Sequence, residues 1–148
     1  MGENLDIFRT IKEVMGLEKR DILGYSPLTL AYIGDGIYEL VIRTLVVNKA
    51  NTSAKNLHRM SSSLVKAQTQ AQMAHELSEE LTEEEMKVYK RGRNAKSATM
   101  AKNATMSDYR AATGFEALCG YLYLCGQTDR LKELFSISTL NTFTESNT

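Results

Sequence analysis

The sequence predicts a single all-α domain, and three observations carry that prediction. Apolar residues recur every three to four positions along almost the whole chain, no alternating run of strand length bounded by turn residues occurs, and helix-capping signals stand at the breaks. Leu5, Phe8, Ile11 and Met15 form the first amphipathic repeat, closed near Gly16. Gly24-Tyr25-Ser26-Pro27 restarts the chain. Ser26 is suited to cap a helix, and the one proline falls in its first turn, where the missing N–H has no partner to lose. That second helix runs from about Pro27 to Asn48, and a polar loop over 48–53 precedes a third helical region to about Leu77, with a break expected near Ser61-Ser62-Ser63. Thr82-Glu83-Glu84-Glu85 has capping-box spacing and opens a fourth helix that should end near Gly92. Residues 93–107 read as a loop or as a short helix over 96–102. Ser107-Asp108 reads as the next helix start, with an apolar run to about Leu124 ended by Gly126, and Asp129 to Phe135 as a short last helix. The tail after Leu140 is polar and expected to fray.

Length and composition bound the function classes. A chain of 148 residues, 43% hydrophobic and 24% charged, buries a core without staples and is neither disordered nor a disulfide scaffold. Its two cysteines, Cys119 and Cys125, sit in an apolar run and read as reduced core thiols, and no Cys/His cluster has zinc spacing. The first twenty residues mix charges with apolar residues, unlike a secretory signal. The longest apolar candidate, Leu28 to Val47, is interrupted by Asp35, Glu39 and Arg43, which excludes a membrane span there. A cytoplasmic protein with no membrane partner is expected.

The zero net charge hides a segregation. Six acids and no Lys or Arg lie between Glu76 and Glu85, whereas Met86 to Ser107 holds Lys87, Lys90, Arg91, Arg93, Lys96 and Lys102 and no acid. An even spread of 18 charges of each sign would put about three of each in that window of 22. The basic window reads either as a solvated helix face or as a phosphate-contacting patch.

Two apolar helices each carry a carboxylate inside. Asp35 lies mid-way along an apolar helix between Gly34 and Gly36, with Glu39 one turn on, and Glu116 lies among apolar residues between Gly114 and Gly120. The second helix is apolar nearly all round, which predicts a central, buried position. Glycines inside helices cost about 1 kcal/mol each relative to Ala and are tolerated where another backbone or a ligand comes close. Asp35 and Glu116 are therefore expected to face each other across a glycine-lined crossing. Such a pair reads as a Mg²⁺ site, since Mg²⁺ needs only one or two carboxylates beside its waters, or as a buried ion network satisfied by basic residues. His58 and His75, 17 residues apart, suggest no catalytic arrangement.

Here the sequence resembles a known family. Leu30-Ala31-Tyr32-Ile33-Gly34-Asp35-Gly36-Ile37-Tyr38-Glu39 resembles the signature helix of the ribonuclease III nuclease domain, and Ala112-Thr113-Gly114-Phe115-Glu116-Ala117-Leu118-Cys119-Gly120 resembles its second acidic helix. The segments from Asn56-Leu57-His58-Arg59-Met60 to Ala67-Gln68-Thr69-Gln70-Ala71, and Arg91 to Lys96, resemble the mini-ribonuclease III branch, which has the nuclease domain alone. The likeness covers about residues 20–135 of one domain spanning 1–148, and both helices in order make it specific.

The resemblance implies a helical, homodimeric endoribonuclease that hydrolyses double-stranded RNA with Mg²⁺ and leaves 5′-phosphomonoesters, with maturation of precursor 23S ribosomal RNA as its role. Asp35 and Glu116 would be the catalytic metal ligands. Full-length members carry a Glu four residues before that Asp and an Asp three residues before that Glu; here these are Ala31 and Thr113, so one well-held Mg²⁺ per subunit is expected. Glu39 would assist from the next turn or pair with Arg43. Lys90, Arg91, Arg93, Asn94 and Lys96 would contact the RNA. Only eight residues follow Leu140, so recognition is expected from the nuclease domain itself or from a helper such as a ribosomal protein. A non-catalytic domain of the same fold, binding structured RNA or a ribosomal particle, is the alternative; a helical protein-interaction module is the third reading.

Overall fold

The computed structural model describes residues 7–95 and 105–137. Seven α-helices make up the described fold, with no strand among the described residues: α1 Ile7–Met15, α2 Pro27–Lys49, α3 Ala54–Ser62, α4 Ala67–Leu77, α5 Glu83–Asn94, α6 Met106–Leu124 and α7 Thr128–Ile137. The alternatives for residues 96–102 and the tail after Leu140 lie outside the described residues.

Local chemistry sets most boundaries. The Ser26 hydroxyl accepts from the Thr29 N–H at 3.1 Å with Pro27 at the first helical position of α2. Thr82 and Glu85 form both halves of the capping box at the start of α5. Gly126, at φ +72, takes the left-handed conformation just past α6. The third region is two helices, α3 and α4, separated by 63–66, next to the break expected at Ser61-Ser62-Ser63. Two boundaries differ from the sequence reading. α5 runs on to Asn94, because Gly92 is buried against α6 and does not stop the helix. α6 starts at Met106 because the Thr105 hydroxyl, not Ser107, accepts from the Asp108 N–H at 3.0 Å. A 3-10 turn over Ile22–Gly24, capped by Asp21, was not foreseen.

The buried centre is α6. Ala111, Ala112, Thr113, Gly114, Phe115, Ala117, Leu118, Cys119, Gly120 and Leu122 are all buried, and α2, α4 and α5 pack around it. α2 is one-sided, which corrects the all-round burial expected of it. Its stripe Leu30, Ala31, Gly34, Tyr38, Ile42 and Val46 is buried, while Leu28, Tyr32, Leu40 and Val47 are exposed, Tyr32 by 83%. The main core unites Tyr38, Ile42, Val46, Met73, Leu77, Phe115, Leu118 and Leu122 with Leu131 and Leu134 of α7. Tyr38 meets Phe115 edge-on at 5.6 Å, and its hydroxyl donates to the Leu64 carbonyl and the Met73 sulfur. Cys119 is buried, as expected, but Cys125 is exposed at the end of α6 and is no core thiol.

One ion pair ties α5 to α7. Arg130 donates to both Glu85 carboxylate oxygens at 2.8 Å and to the Glu80 carbonyl at 2.7 Å, and Glu85 is only 4% exposed. The Arg130 guanidinium holds the Glu85 carboxyl below its usual value. A depressed folded pKa means that this pair stabilises fully above the ordinary Glu value of 4.5 and loses its contribution as pH falls through the folded value. Chemical denaturation from pH 6 down to pH 2 is expected to show an acid-side loss of stability that Glu85→Gln makes shallower. Arg130→Met at pH 7 is expected to cost about 3 kcal/mol, because it strands a buried carboxylate.

Candidate active site

Glycine packing builds the site. A Cβ on Gly34 would lie 1.7 Å from the Glu116 carbonyl oxygen, and a Cβ on Gly120 would lie 2.0 Å from the Leu30 carbonyl oxygen. Only hydrogen at both positions lets the backbones of α2 and α6 come this close. Gly92 and Gly114 play the same part between α5 and α6, where added Cβ atoms would meet Ala117 and Tyr89 at 2.7 Å. Gly36, expected to line the crossing, faces open space.

Asp35 follows Gly34 on α2, so the close crossing brings its side chain to Glu116 of α6. The two carboxyls are within side-chain hydrogen-bonding reach. Asp35 is exposed, against the buried position expected for it, and Glu116 is half-buried. Asp35 thus stands at the surface, with Glu116 deeper beside it. Burial, then the hydrogen bond and negative charge of Asp35, push the Glu116 carboxyl up to about 9, while the Gln70 side chain opposes the shift.

Basic residues do not neutralise this pair. Among the described residues no Lys or Arg forms an ion pair with Asp35 or Glu116. Glu39 pairs with Arg43 at 3.0 Å, one of the two roles expected for it. The buried-ion-network reading thus loses its counter-ions, and two facing carboxyls without a cation are a donor set suited to a hard divalent ion. The set is small: no group of three His, Cys, Asp or Glu gathers among the described residues. Ala31 is packed in the core with Leu30, Val88 and Ala117, and the buried Thr113 hydroxyl donates back to the Tyr109 carbonyl at 3.0 Å, so neither adds a carboxylate-like ligand. Beside Glu116 lies Gln70 of α4, 4% exposed, which sequence reasoning missed as a site residue. Its signal was a polar residue on the apolar stripe with Ala71, Ala74 and Leu77.

The expected RNA-contacting residues divide. Lys90, Arg93 and Asn94 lie on one side of α5 and line a cleft of about 710 Å³ between α4, α5 and α6. Arg93 lies over the Tyr89 ring at 5.8 Å. Arg91 points elsewhere: its guanidinium donates to the Tyr25 carbonyl at 3.3 Å, bracing the chain ahead of α2. Lys96 lies outside the described residues. The cleft adds Arg110 and His75, which the sequence reading left out. Arg110 is six residues before Glu116, about 9 Å along the helix axis.

Comparison with known proteins joins these features. Residues 28–127, which contain both carboxyls and the described cleft, match the Ribonuclease III domain. The chain is 47% identical over 82 residues to a Mini-ribonuclease 3 of Clostridium tetani, covering 55% of this chain and 54% of that protein. It is 50% identical over 82 residues to a Mini-ribonuclease 3 of Enterococcus faecalis, covering 54% and 62%. The matches thus span between half and two thirds of those relatives' lengths. A crystal structure of a Fusobacterium nucleatum protein superposes with a TM-score of 0.73 at 30% identity, covering 80% of this chain and 97% of that one.

Proposed function

The chain belongs to the Ribonuclease III domain family, and from that premise we propose that it is a divalent-cation-dependent endoribonuclease acting on double-stranded RNA. The observation that carries the reading is the Asp35–Glu116 carboxyl pair, facing across the α2–α6 crossing with no basic partner among the described residues. Mg²⁺ is the ion this oxygen-only donor set suits. When bound, such a cation offsets charge on the phosphate oxygens and makes a coordinated water acidic enough to attack. Asp35 and Glu116 hold it; Gly34 and Gly120 keep the helices close enough for both to reach it.

Lys90, Arg93 and Arg110 bring phosphates to the cleft between α4, α5 and α6. Duplex RNA is recognised chiefly by shape and backbone, which suits cations on a rigid helix face. Lys90→Ala with Arg93→Ala is expected to weaken binding of an RNA duplex and to reduce the slope of log affinity against log salt by about 1–2. A fluorescence titration at several salt concentrations measures it; an unchanged slope removes these residues from the interface.

The exposed apolar face of α2, with Tyr32, Leu40 and Val47, supports a homodimer, because such a patch on a small domain calls for a cover. Precursor 23S ribosomal RNA is the proposed substrate, leaving 5′-phosphate ends, and a ribosomal protein is the proposed helper. A non-catalytic RNA-binding domain is the second reading, favoured by the apolar Ala31 and the self-bonded Thr113. Incubating a long RNA duplex with the protein, with and without Mg²⁺, separates the two. Cleavage that needs the ion supports the enzyme; intact, bound RNA supports the alternative.

A further inference from the structure

We propose that Gln70 is a third protein contributor to the divalent-cation site, steadying the Glu116 carboxyl through its amide nitrogen and offering its amide oxygen to the cation's hydration shell. The inference rests on the metal-site reading above. Gln70 stands in the first turn of α4 and is 4% exposed. Its Nε2 donates to the Val65 carbonyl oxygen at 3.2 Å, which anchors the amide to the chain just before the helix. The same side chain is within hydrogen-bonding reach of the Glu116 carboxyl. Its Oε1 has no hydrogen-bond partner, the one buried side-chain polar atom among the described residues in that condition.

Packing alone does not account for a glutamine here. The position lies on the buried stripe of α4 with Ala71, Met73, Ala74 and Leu77, where a Leu or Met side chain would fill the same space without a polar atom to satisfy. A buried acceptor without a donor costs about 1–3 kcal/mol, and in native proteins it marks a water, an ion or a functional role. Mg²⁺ keeps several of its waters, and each of these is a hydrogen-bond donor that needs an acceptor. With only two carboxylates on the ion, the groups around that hydration shell carry more of the affinity. Gln70 supplies an oxygen of the right kind on a third helix, anchored by Val65 and adjacent to Glu116.

Gln70→Met and Gln70→Leu test this, each read three ways: melting temperature without metal, Mn²⁺ affinity from the paramagnetic resonance signal of the free ion, and the Mg²⁺ concentration that gives half-maximal cleavage of an RNA duplex. Both variants are expected to melt at or above the wild-type temperature. Both should bind Mn²⁺ about 10–100-fold more weakly, with cleavage recovered at correspondingly higher Mg²⁺. Wild-type Mn²⁺ affinity in either folded variant overturns the proposal. So does loss of the fold in both, because the amide would then be structural. Wild-type protein that neither binds Mn²⁺ nor cuts the duplex refutes the metal-site reading itself, a result distinct from unchanged affinity in the variants alone.

Discussion

Asp35→Asn is expected to lower duplex-RNA cleavage by ~10³-fold or more while leaving the helical content unchanged. The substitution keeps the shape and removes one of the two anionic oxygens on which the cation depends. Asp35 is exposed and forms no ion pair among the described residues, and an asparagine keeps a side-chain oxygen that can accept from the Glu116 carboxyl. The metal-free protein should instead be at least as stable, since the charge of Asp35 is one of the causes that disfavour ionised Glu116. The sign follows from linkage. With Glu116 pushed up to about 9 from an ordinary 4.5, the folded state holds a proton that the unfolded chain has released. Metal-free stability therefore falls as pH rises between those values. Asp35→Asn should make that fall shallower. Denaturant melts of both proteins in the presence of a chelator, from pH 5 to pH 9, measure it; equal slopes would mean that the two carboxyls do not interact.

Gly34→Ala should be the most damaging glycine-to-alanine change among the described residues. Its Cβ would overlap the Glu116 carbonyl oxygen at 1.7 Å, and the neighbouring contacts are also backbone, the Glu116 carbonyl carbon at 2.6 Å and the Gly120 nitrogen at 2.9 Å. Backbone atoms of a buried helix cannot rotate away as a flexible side chain would, so α2 must move off α6. Overpacking of this kind costs about 3 kcal/mol or more, and separating the helices also uncovers the Leu30 and Ala117 contact. Gly36→Ala, two residues away, is the control: nothing lies within 4 Å of its Cβ, and the change should retain the fold with up to about 1 kcal/mol gained in helix propensity. Urea unfolding of the three proteins checks the contrast. Similar midpoints for Gly34→Ala and Gly36→Ala would show that the crossing is looser than described.

How much of this could be read from the sequence depended on whether a feature is local. The Ser26-Pro27 start and the Thr82 to Glu85 box are decided within one turn of chain, and both stand as written. Burial of α2 was over-read because its outward face is also apolar, with Leu28, Tyr32, Leu40 and Val47, so periodicity could not tell the core side from the exposed one. The basic run is contiguous in sequence, yet a helix turns about 100° per residue. Lys90, Arg93 and Asn94 share a side at spacings of three and four, and Arg91 is carried round to Tyr25. The juxtaposition of Asp35 and Glu116 was legible because glycines flank each carboxylate. Gln70 was not, because a lone polar residue on an apolar stripe gives no hint of what it faces until α4 is laid against α6.

The central claim is that one divalent cation is held jointly by α2 and α6. Crystals soaked in Mn²⁺ and measured at its absorption edge test it most directly. The account predicts one anomalous peak per subunit within coordination distance of carboxylate oxygens from both Asp35 and Glu116, and no such peak in Asp35→Asn. A peak bound elsewhere, or none at saturating Mn²⁺ in an open, well-ordered site, contradicts it.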